Sequence, residues 1–202
     1  VFQRLLDSED LSSALKVMSE TTYGKWLLEQ QSAEKYELAI ESELKYVFAE
    51  TEHFVPDPCL YRICRLPYDI HNIKVLLKGL FVQKQGGQRR LDLLTGLGNI
   101  LVDDLVVAIE SEDYRLMPFG FHRTVPECVS TWDQTRDILQ VERILDEALF
   151  SLQLKMADEV AFEGVKLFAR SRVDAENLRN IARLKRMGFD SSQAAPFLHN
   201  GG

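Results

Sequence analysis

Features that secreted and membrane-spanning proteins depend on are scarce in this 202-residue sequence. Its three cysteines are an odd number and form no CxxC pair, which argues against a disulfide framework and fits a reducing, cytosolic compartment. No apolar run approaches the roughly 20 residues that a membrane-spanning helix needs. The longest candidate, 100–109, is interrupted by Asp103 and Asp104.

Motifs for nucleotide and metal chemistry are also missing. There is no GxxxxGK[ST] phosphate loop, and the Thr-Gly-Leu-Gly stretch 95–98 is not a dinucleotide fingerprint. The histidines show no metal-ligand spacing, and the Glu-x-x-His pairs of a di-metal carboxylate site are absent. A Ser–His–Asp or Cys–His arrangement stays open, although no elbow motif supports one. We expect no catalytic residue, metal or cofactor, and interpret the acidic residues of the long helices as a solvated face: Glu37, Glu41, Glu43, Glu142, Asp146 and Glu147.

What the chain does contain is two copies of one pattern. The motif Asp69-x-x-Asn72 recurs as Asp174-x-x-Asn177, 105 residues later (174 − 69). Extended upstream, the same register pairs Glu37, Ile40, Glu41 and Leu44 with Glu142, Leu145, Asp146 and Leu149. A second register of 91 aligns 13–18 with 104–109, so the second copy carries an insertion of 14 residues (105 − 91) between Tyr114 and Val141. A repeat of this size without catalytic residues indicates an architectural role.

The repeat defines two units, 8–98 and 99–202. The stretch 93–98 that closes the first copy matches 197–202, at the end of the sequence. After Gly98 the first copy continues into a predicted helix over 102–110, whereas no such continuation follows the second copy, and the chain begins without Met. We therefore expect two units of a longer protein, with a third unit missing.

Helical periodicity dominates both units and predicts an all-α fold. The apolar stripes are formed by Tyr36, Ile40, Leu44, Val47 and Phe48; by Ile73, Leu76, Leu77 and Leu80; by Ile138, Val141, Leu145, Leu149, Leu152 and Met156; and by Leu178, Ile181, Ala182, Leu184 and Met187. Prolines such as Pro67 and Pro126 are interpreted as turns. The insertion, around 117–132, is predicted to be the longest non-helical segment and to pack as a clamp over a neighbouring helix.

Asp69 and Asp174 each stand just before an apolar stripe, which suggests that each begins a helix. An N-cap aspartate accepts hydrogen bonds from the free N–H groups of the first turn. Asn72 and Asn177 would then lie near the third helical position, where an amide can reach back as in a capping box. Alternatively the asparagine is buried and bonds to an adjacent helix, or the motif contacts a partner directly.

The charge of the chain is unevenly distributed. The net charge of −7 argues against a nucleic-acid ligand, yet windows 60–85 and 165–190 each carry a net charge of +4, which leaves −15 for the rest (−7 − 8). These windows are the same stretch of the two copies. They form either solvated helix faces or docking surfaces for an acidic partner or anionic headgroups. The candidate contact residues are Lys74, Lys78, Arg179, Arg183 and Arg186.

The order of these features in both units resembles the central-stalk connector of rotary V-type and A-type ATPases, known as the C subunit in archaeal and bacterial complexes and as the d subunit in eukaryotic ones. The resemblance covers essentially the whole chain. It rests on Tyr23, Asp69, Asn72, Ile73 and Lys74 in one copy and on Asp174, Asn177, Leu178, Arg179 and Arg183 in the other.

The resemblance implies three similar helical units around a pseudo-threefold axis, forming a funnel, of which this chain has two. It implies a non-enzymatic part that seats the foot of the rotor shaft and rests on the membrane proteolipid ring. Torque would pass between ATP hydrolysis or synthesis and proton or sodium movement. The implied partners are the shaft subunits and that ring, with no nucleic acid and no directly bound nucleotide, at the cytoplasmic, inner face of the membrane. The alternative is a soluble helical scaffold or adaptor with an unknown partner; an enzyme is the least favoured interpretation.

Overall fold

The computed structural model describes residues 1–30, 35–160 and 162–202. Helices make up 74% of the structure and the described residues contain no strand, which confirms the all-α prediction. The chain divides into two compact units, 1–56 and 57–202. This division reflects packing and falls at a different place from the sequence repeat, so the repeat units 8–98 and 99–202 stay a prediction.

The first compact unit has a thin core. Its helices are α1 (Phe2–Leu6), α2 (Leu11–Ser19), α3 (Gly24–Glu29) and α4 (Tyr36–Phe54). Asp10 begins α2 by accepting a hydrogen bond from the Ser13 N–H at 2.7 Å. Helix α3 is held on α4 by Trp26, whose Nε1 donates to Glu43 Oε2 at 2.6 Å. The predicted stripe of α4 is only half-buried, and the fully buried residue of this helix is Ala39.

The second compact unit holds the main core. Its helices are α5 (Pro58–Gln83), α6 (Val102–Glu110), α7 (Phe121–Thr135), α8 (Ile138–Glu159), α9 (Glu163–Arg186) and α10 (Ser191–Ala194), with 3-10 turns at Leu91–Leu93 and Ala195–Phe197. Helix α5 packs on α6 and α8, and α8 also packs on α7 and α9. The apolar side chains of α5 lie wholly in this core: Ile63, Leu66, Ile70, Ile73, Leu76, Leu77 and Phe81.

The predicted helix starts at Asp69 and Asp174 are wrong, because both residues lie inside long helices. Helix α5 begins at Asp57, whose carboxylate accepts from the Cys59 N–H at 2.8 Å, with Pro58 as the first helical residue. Proline suits that position since its missing N–H would be unpaired there anyway. The interpretation of Pro67 as a turn caused the error, as this residue lies within α5.

Helix α5 continues through Pro67 because a neighbouring helix supplies the lost hydrogen bond. A proline in a helix interior cannot donate to the carbonyl four residues earlier, which here belongs to Ile63. The buried Gln153 of α8 donates its Nε2 to the Ile63 carbonyl at 3.2 Å. The proline site of α5 is thus tied to α8.

The insertion is also more regular than predicted. Most of it is helix α7, which runs through Pro126, so the interpretation of a non-helical segment is wrong. Its amphipathic pattern buries Phe121, Val125 and Cys128 against the core. Trp132 stacks on Phe81 of α5, with ring centroids 4.6 Å apart. The prediction that the insertion packs over a neighbouring helix is therefore confirmed.

Helix bounds follow the two sequence registers. Helices α2 and α6 are displaced by 91 residues at both ends (102 − 11 and 110 − 19). Helices α5 and α9 begin 105 residues apart (163 − 58), and the 3-10 turns named above begin 104 residues apart (195 − 91). This agreement supports the repeat as the basis of the architecture.

Candidate interaction surface

Asn72 fixes the segment that returns towards α5. Its side-chain amide is fully buried and forms two hydrogen bonds with the backbone of Thr95. Nδ2 donates to the Thr95 carbonyl at 2.8 Å, and the Thr95 N–H donates to Oδ1 at 2.9 Å. A carboxylate could not make both bonds, because it has no donor. The structure therefore agrees with the interpretation of a buried asparagine, although it bonds to a returning loop and not to an adjacent helix.

Asp69 holds the same segment one step further on. Its buried carboxylate accepts from Asn99 Nδ2 at 2.7 Å and from the Ile100 N–H at 2.9 Å, just before α6 begins. A Cβ at Gly98 would collide with this carboxylate. Burial raises the pKa of Asp69, and the donated hydrogen bonds act in the opposite direction.

The second motif makes the same contacts in a more exposed setting. Asn177 Nδ2 donates to the His199 carbonyl at 2.8 Å, and the His199 N–H donates to Asn177 Oδ1 at 2.8 Å. A Cβ at Gly202 would collide with Asp174, as at Gly98 and Asp69. However, Asp174 is exposed and Asn177 is half-buried. The motif is thus a structural lock that occurs twice.

The basic residues of α5 are engaged inside the second compact unit. Lys74 Nζ donates to Asp146 of α8 at 2.6 Å, and Lys78 pairs with Glu142, one turn earlier on the same helix. The side chains of both acids are about 30% exposed (29% and 30%), so the interpretation of a solvated acidic face is wrong for these two residues. The lysines keep their place among the predicted contact residues only as a proposal, which these ion pairs weaken.

The basic residues of α9 are less engaged. Arg179 pairs with Glu176 on its own helix at 2.5 Å. Arg183 and Arg186 are exposed, and the described part of the chain places no carboxylate within ion-pair distance of either. A groove of about 430 Å³ runs between α8 and α9, and its charged lining residues are Lys74, Glu142, Arg143, Asp146, Arg172, Glu176, Arg179 and Arg183.

The apolar stripe of α9 is exposed beside these arginines. Leu178 and Ile181 are 69% and 45% exposed, whereas their counterparts on α5, Ile73 and Leu76, are 0% exposed. We call Leu178, Arg179, Ile181 and Arg183 the α9 face. Its combination of exposed apolar and basic side chains is typical of an interaction surface.

No catalytic arrangement emerges from the described residues. A larger groove of about 900 Å³ lies between α5, α6 and the segment 111–119, but its lining residues carry neither histidine nor cysteine. Burial raises the pKa of Cys128 to about 12 and also raises those of Cys59 and Cys64, so these thiols are not activated as nucleophiles. Within residues 1–30, 35–160 and 162–202, no cluster of His, Cys, Asp or Glu is placed to hold a metal ion.

Three features of this region were not predicted. They are the Asp57–Pro58 helix start, the Gln153 contact at Pro67 and the ion pairs of α5 with α8. The ion pairs had a visible signal, because two lysines spaced by four residues match two acids with the same spacing. None of the helices that the structure describes is long and apolar enough to cross a membrane.

Comparison with known proteins decides the family. A family model described as ATP synthase (C/AC39) subunit matches residues 1–202. The chain belongs to this family. It is similar to the C subunit of the A-type ATP synthase of Methanocaldococcus jannaschii, with 27% identity over 207 residues that cover 96% of this chain and 52% of the relative. The chain thus spans about half the length of that protein, and no solved structure matches it.

The family assignment agrees with the resemblance that the repeated motif predicted. It places the chain among subunits of V-type and A-type ATP synthases, in which ATP chemistry is coupled to ion transport. Asp69, Asn72, Asp174 and Asn177 carry the lock of each copy in this family member.

Proposed function

We propose that this chain is a non-catalytic central-stalk connector of a rotary V/A-type ATPase. In this role it links the rotor shaft to the membrane proteolipid ring, on the cytoplasmic side, and passes torque between them. Its family membership supports the complex. The observation that carries the proposal is the exposed α9 face, an apolar and basic surface on a chain whose described residues show no catalytic arrangement.

A torque-bearing part needs stiffness, and the contacts of the second compact unit supply it. The Asn72 amide and the Asp69 carboxylate tie the backbone of 95–100 to the middle of α5. Gln153 and the ion pairs of Lys74 and Lys78 tie the same helix to α8. Interlocked hydrogen bonds in a close-packed core resist deformation.

The shaft would dock on the basic part of α9, at Arg179, Arg183 and Arg186. All three side chains are exposed, so their attraction to an acidic shaft should act at long range and steer the encounter. Salt would weaken this attraction, because exposed charges are screened beyond about 8–10 Å at physiological ionic strength. The Lys74 and Lys78 pairs are internal and would contribute little to docking.

Binding to an immobilised shaft protein tests the proposal at low and at high salt. We expect the affinity to fall with salt, and the triple variant R179E/R183E/R186E to slow association more than it speeds dissociation. The matched control reverses three exposed basic residues outside α9, Arg123, Arg136 and Lys155. An affinity that does not change with salt, or equal effects of the two triple variants, would contradict docking at α9.

A further inference from the structure

Helix α5 shows how this chain recognises a helix. Lys74 and Lys78 lie one turn apart and meet Asp146 and Glu142, which are also one turn apart on α8. The later lysine pairs with the earlier acid, so the two helices run antiparallel at this contact. Beside the lysines, Ile73 and Leu76 of α5 are fully buried in the shared core.

Helix α9 presents the same four positions. Displaced by 105 residues, Ile73, Lys74, Leu76 and Lys78 become Leu178, Arg179, Ile181 and Arg183, which are the α9 face. The spacing of the two cations and of the two aliphatic side chains is unchanged. What differs is that the apolar pair is 69% and 45% exposed, and that Arg183 has no carboxylate within ion-pair distance in the described part of the chain.

We propose that the α9 face binds an amphipathic partner helix that carries two carboxylates one turn apart, bordered by apolar residues, and that runs antiparallel to α9. This inference rests on the proposed docking function and names the chemistry of the partner. Charge complementarity supports it, because α8 offers this acid pair to α5. Arginine in place of lysine strengthens the case, since its planar guanidinium can bind a carboxylate through two parallel hydrogen bonds.

The local surroundings favour an incoming acid. Arg143 and Arg172 line the groove next to Arg179 and Arg183, so the basic side chains along this edge outnumber the single acid of α9 there, Glu176. Glu176 is the present partner of Arg179, whose side chain is 57% exposed. Exchange of this exposed pair for a partner carboxylate costs little, because exposed ion pairs contribute weakly.

A labelled peptide with the sequence of α8, residues 138–159, is the probe, and fluorescence anisotropy with the full chain measures its binding. We expect R179E/R183E to weaken binding about tenfold or more, as expected when two attractive pairs become repulsive. The control R123E/K155E makes the same change in net charge at exposed positions on α7 and α8, and should bind like the wild type. A peptide with both acids changed, E142K/D146K, should bind the wild type weakly and R179E/R183E better.

Two results would overturn the proposal. The first is unchanged binding of the α8 peptide to R179E/R183E, which would place the peptide elsewhere, for example on α5. The second is self-association of the wild-type chain in light scattering that R179E/R183E abolishes. That result would assign the face to α4 of a second copy, whose Glu37 and Glu41 repeat the acid pair. The assay contains no shaft protein, so failure of shaft binding and failure of helix recognition are separate results.

Discussion

Helices α5 and α9 carry the same pattern in opposite surroundings. In α5 the Asp-x-x-Asn lock is buried and the neighbouring lysines are paired with α8. In α9 the lock makes matching contacts, but Asp174 is exposed and the adjacent apolar residues face outwards. The comparison shows that local hydrogen bonding travels with the sequence motif, whereas burial depends on which helix packs alongside.

The largest difference is expected for the aliphatic stripe. Leu76→Ala removes a fully buried side chain and should lower the free energy of unfolding by about 3–4 kcal/mol, within the range for core truncations. Ile181→Ala, at the equivalent position, should cost less than about 1 kcal/mol, because this side chain is 45% exposed. Urea denaturation of both variants measures this. Equal costs would mean that the α9 stripe is covered in solution.

The asparagine locks should differ by a smaller amount. Asn72→Ala removes two buried hydrogen bonds to Thr95 and should cost about 2–3 kcal/mol. Asn177→Ala removes the matching bonds to His199, but water can replace them at this half-buried site, so we expect about 1 kcal/mol. Thermal unfolding of the pair measures the difference. A larger loss for Asn177→Ala would reverse the ranking of the two locks.

The glycines next to the aspartates sharpen the same comparison. Gly98→Ala places a methyl group against the buried Asp69 carboxylate, and should cost about 1–2 kcal/mol through overpacking. Gly202→Ala meets Asp174, but this side chain is exposed and can move aside, so the cost should stay within about 0.5 kcal/mol. Equal melting temperatures for the two variants would argue against a tight fit at Gly98.

The smallest expected effect is a pH dependence at Asp69. Because burial raises its pKa in the native state, the native chain holds this proton to higher pH than the unfolded chain, whose value is near 3.8. The wild type should therefore lose stability relative to Asp69→Asn as pH rises from 3.8 through the raised native pKa. Urea unfolding of both proteins across the acid range measures this difference. A wild type that gains on the variant instead would show that the donors from Asn99 and Ile100 outweigh burial.

The sequence was sufficient for the fold class and for much of the architecture. The predicted helix over 102–110 matches α6, and most of the stripe predicted for α8 is buried. The predicted helix starts failed because Pro67 looked like a turn, while its lost hydrogen bond is supplied by a residue 86 positions away (153 − 67). Such tertiary compensation has no local signal.

The candidate surface was predictable only in part. The repeated basic windows pointed to α5 and α9 alike, and only packing separates them: α8 neutralises Lys74 and Lys78, whereas Arg183 meets no such acid in the described residues. Equivalent stripes likewise gave no indication that Leu178 would be exposed and Ile73 buried. Side-chain exposure depends on neighbours that are distant in sequence, so periodicity alone cannot supply it.

Hydrogen–deuterium exchange along α5 and α9, with and without the partner, tests the central claim most directly. In the free chain we expect the amides of α9 around Leu178 and Ile181 to exchange faster than those of α5 around Ile73 and Leu76, because few apolar contacts hold that face closed. Addition of the shaft protein or the acidic helix should then slow exchange in α9 and leave α5 unchanged. Equal protection of the two helices in the free chain, or partner protection that appears outside α9, would contradict the account.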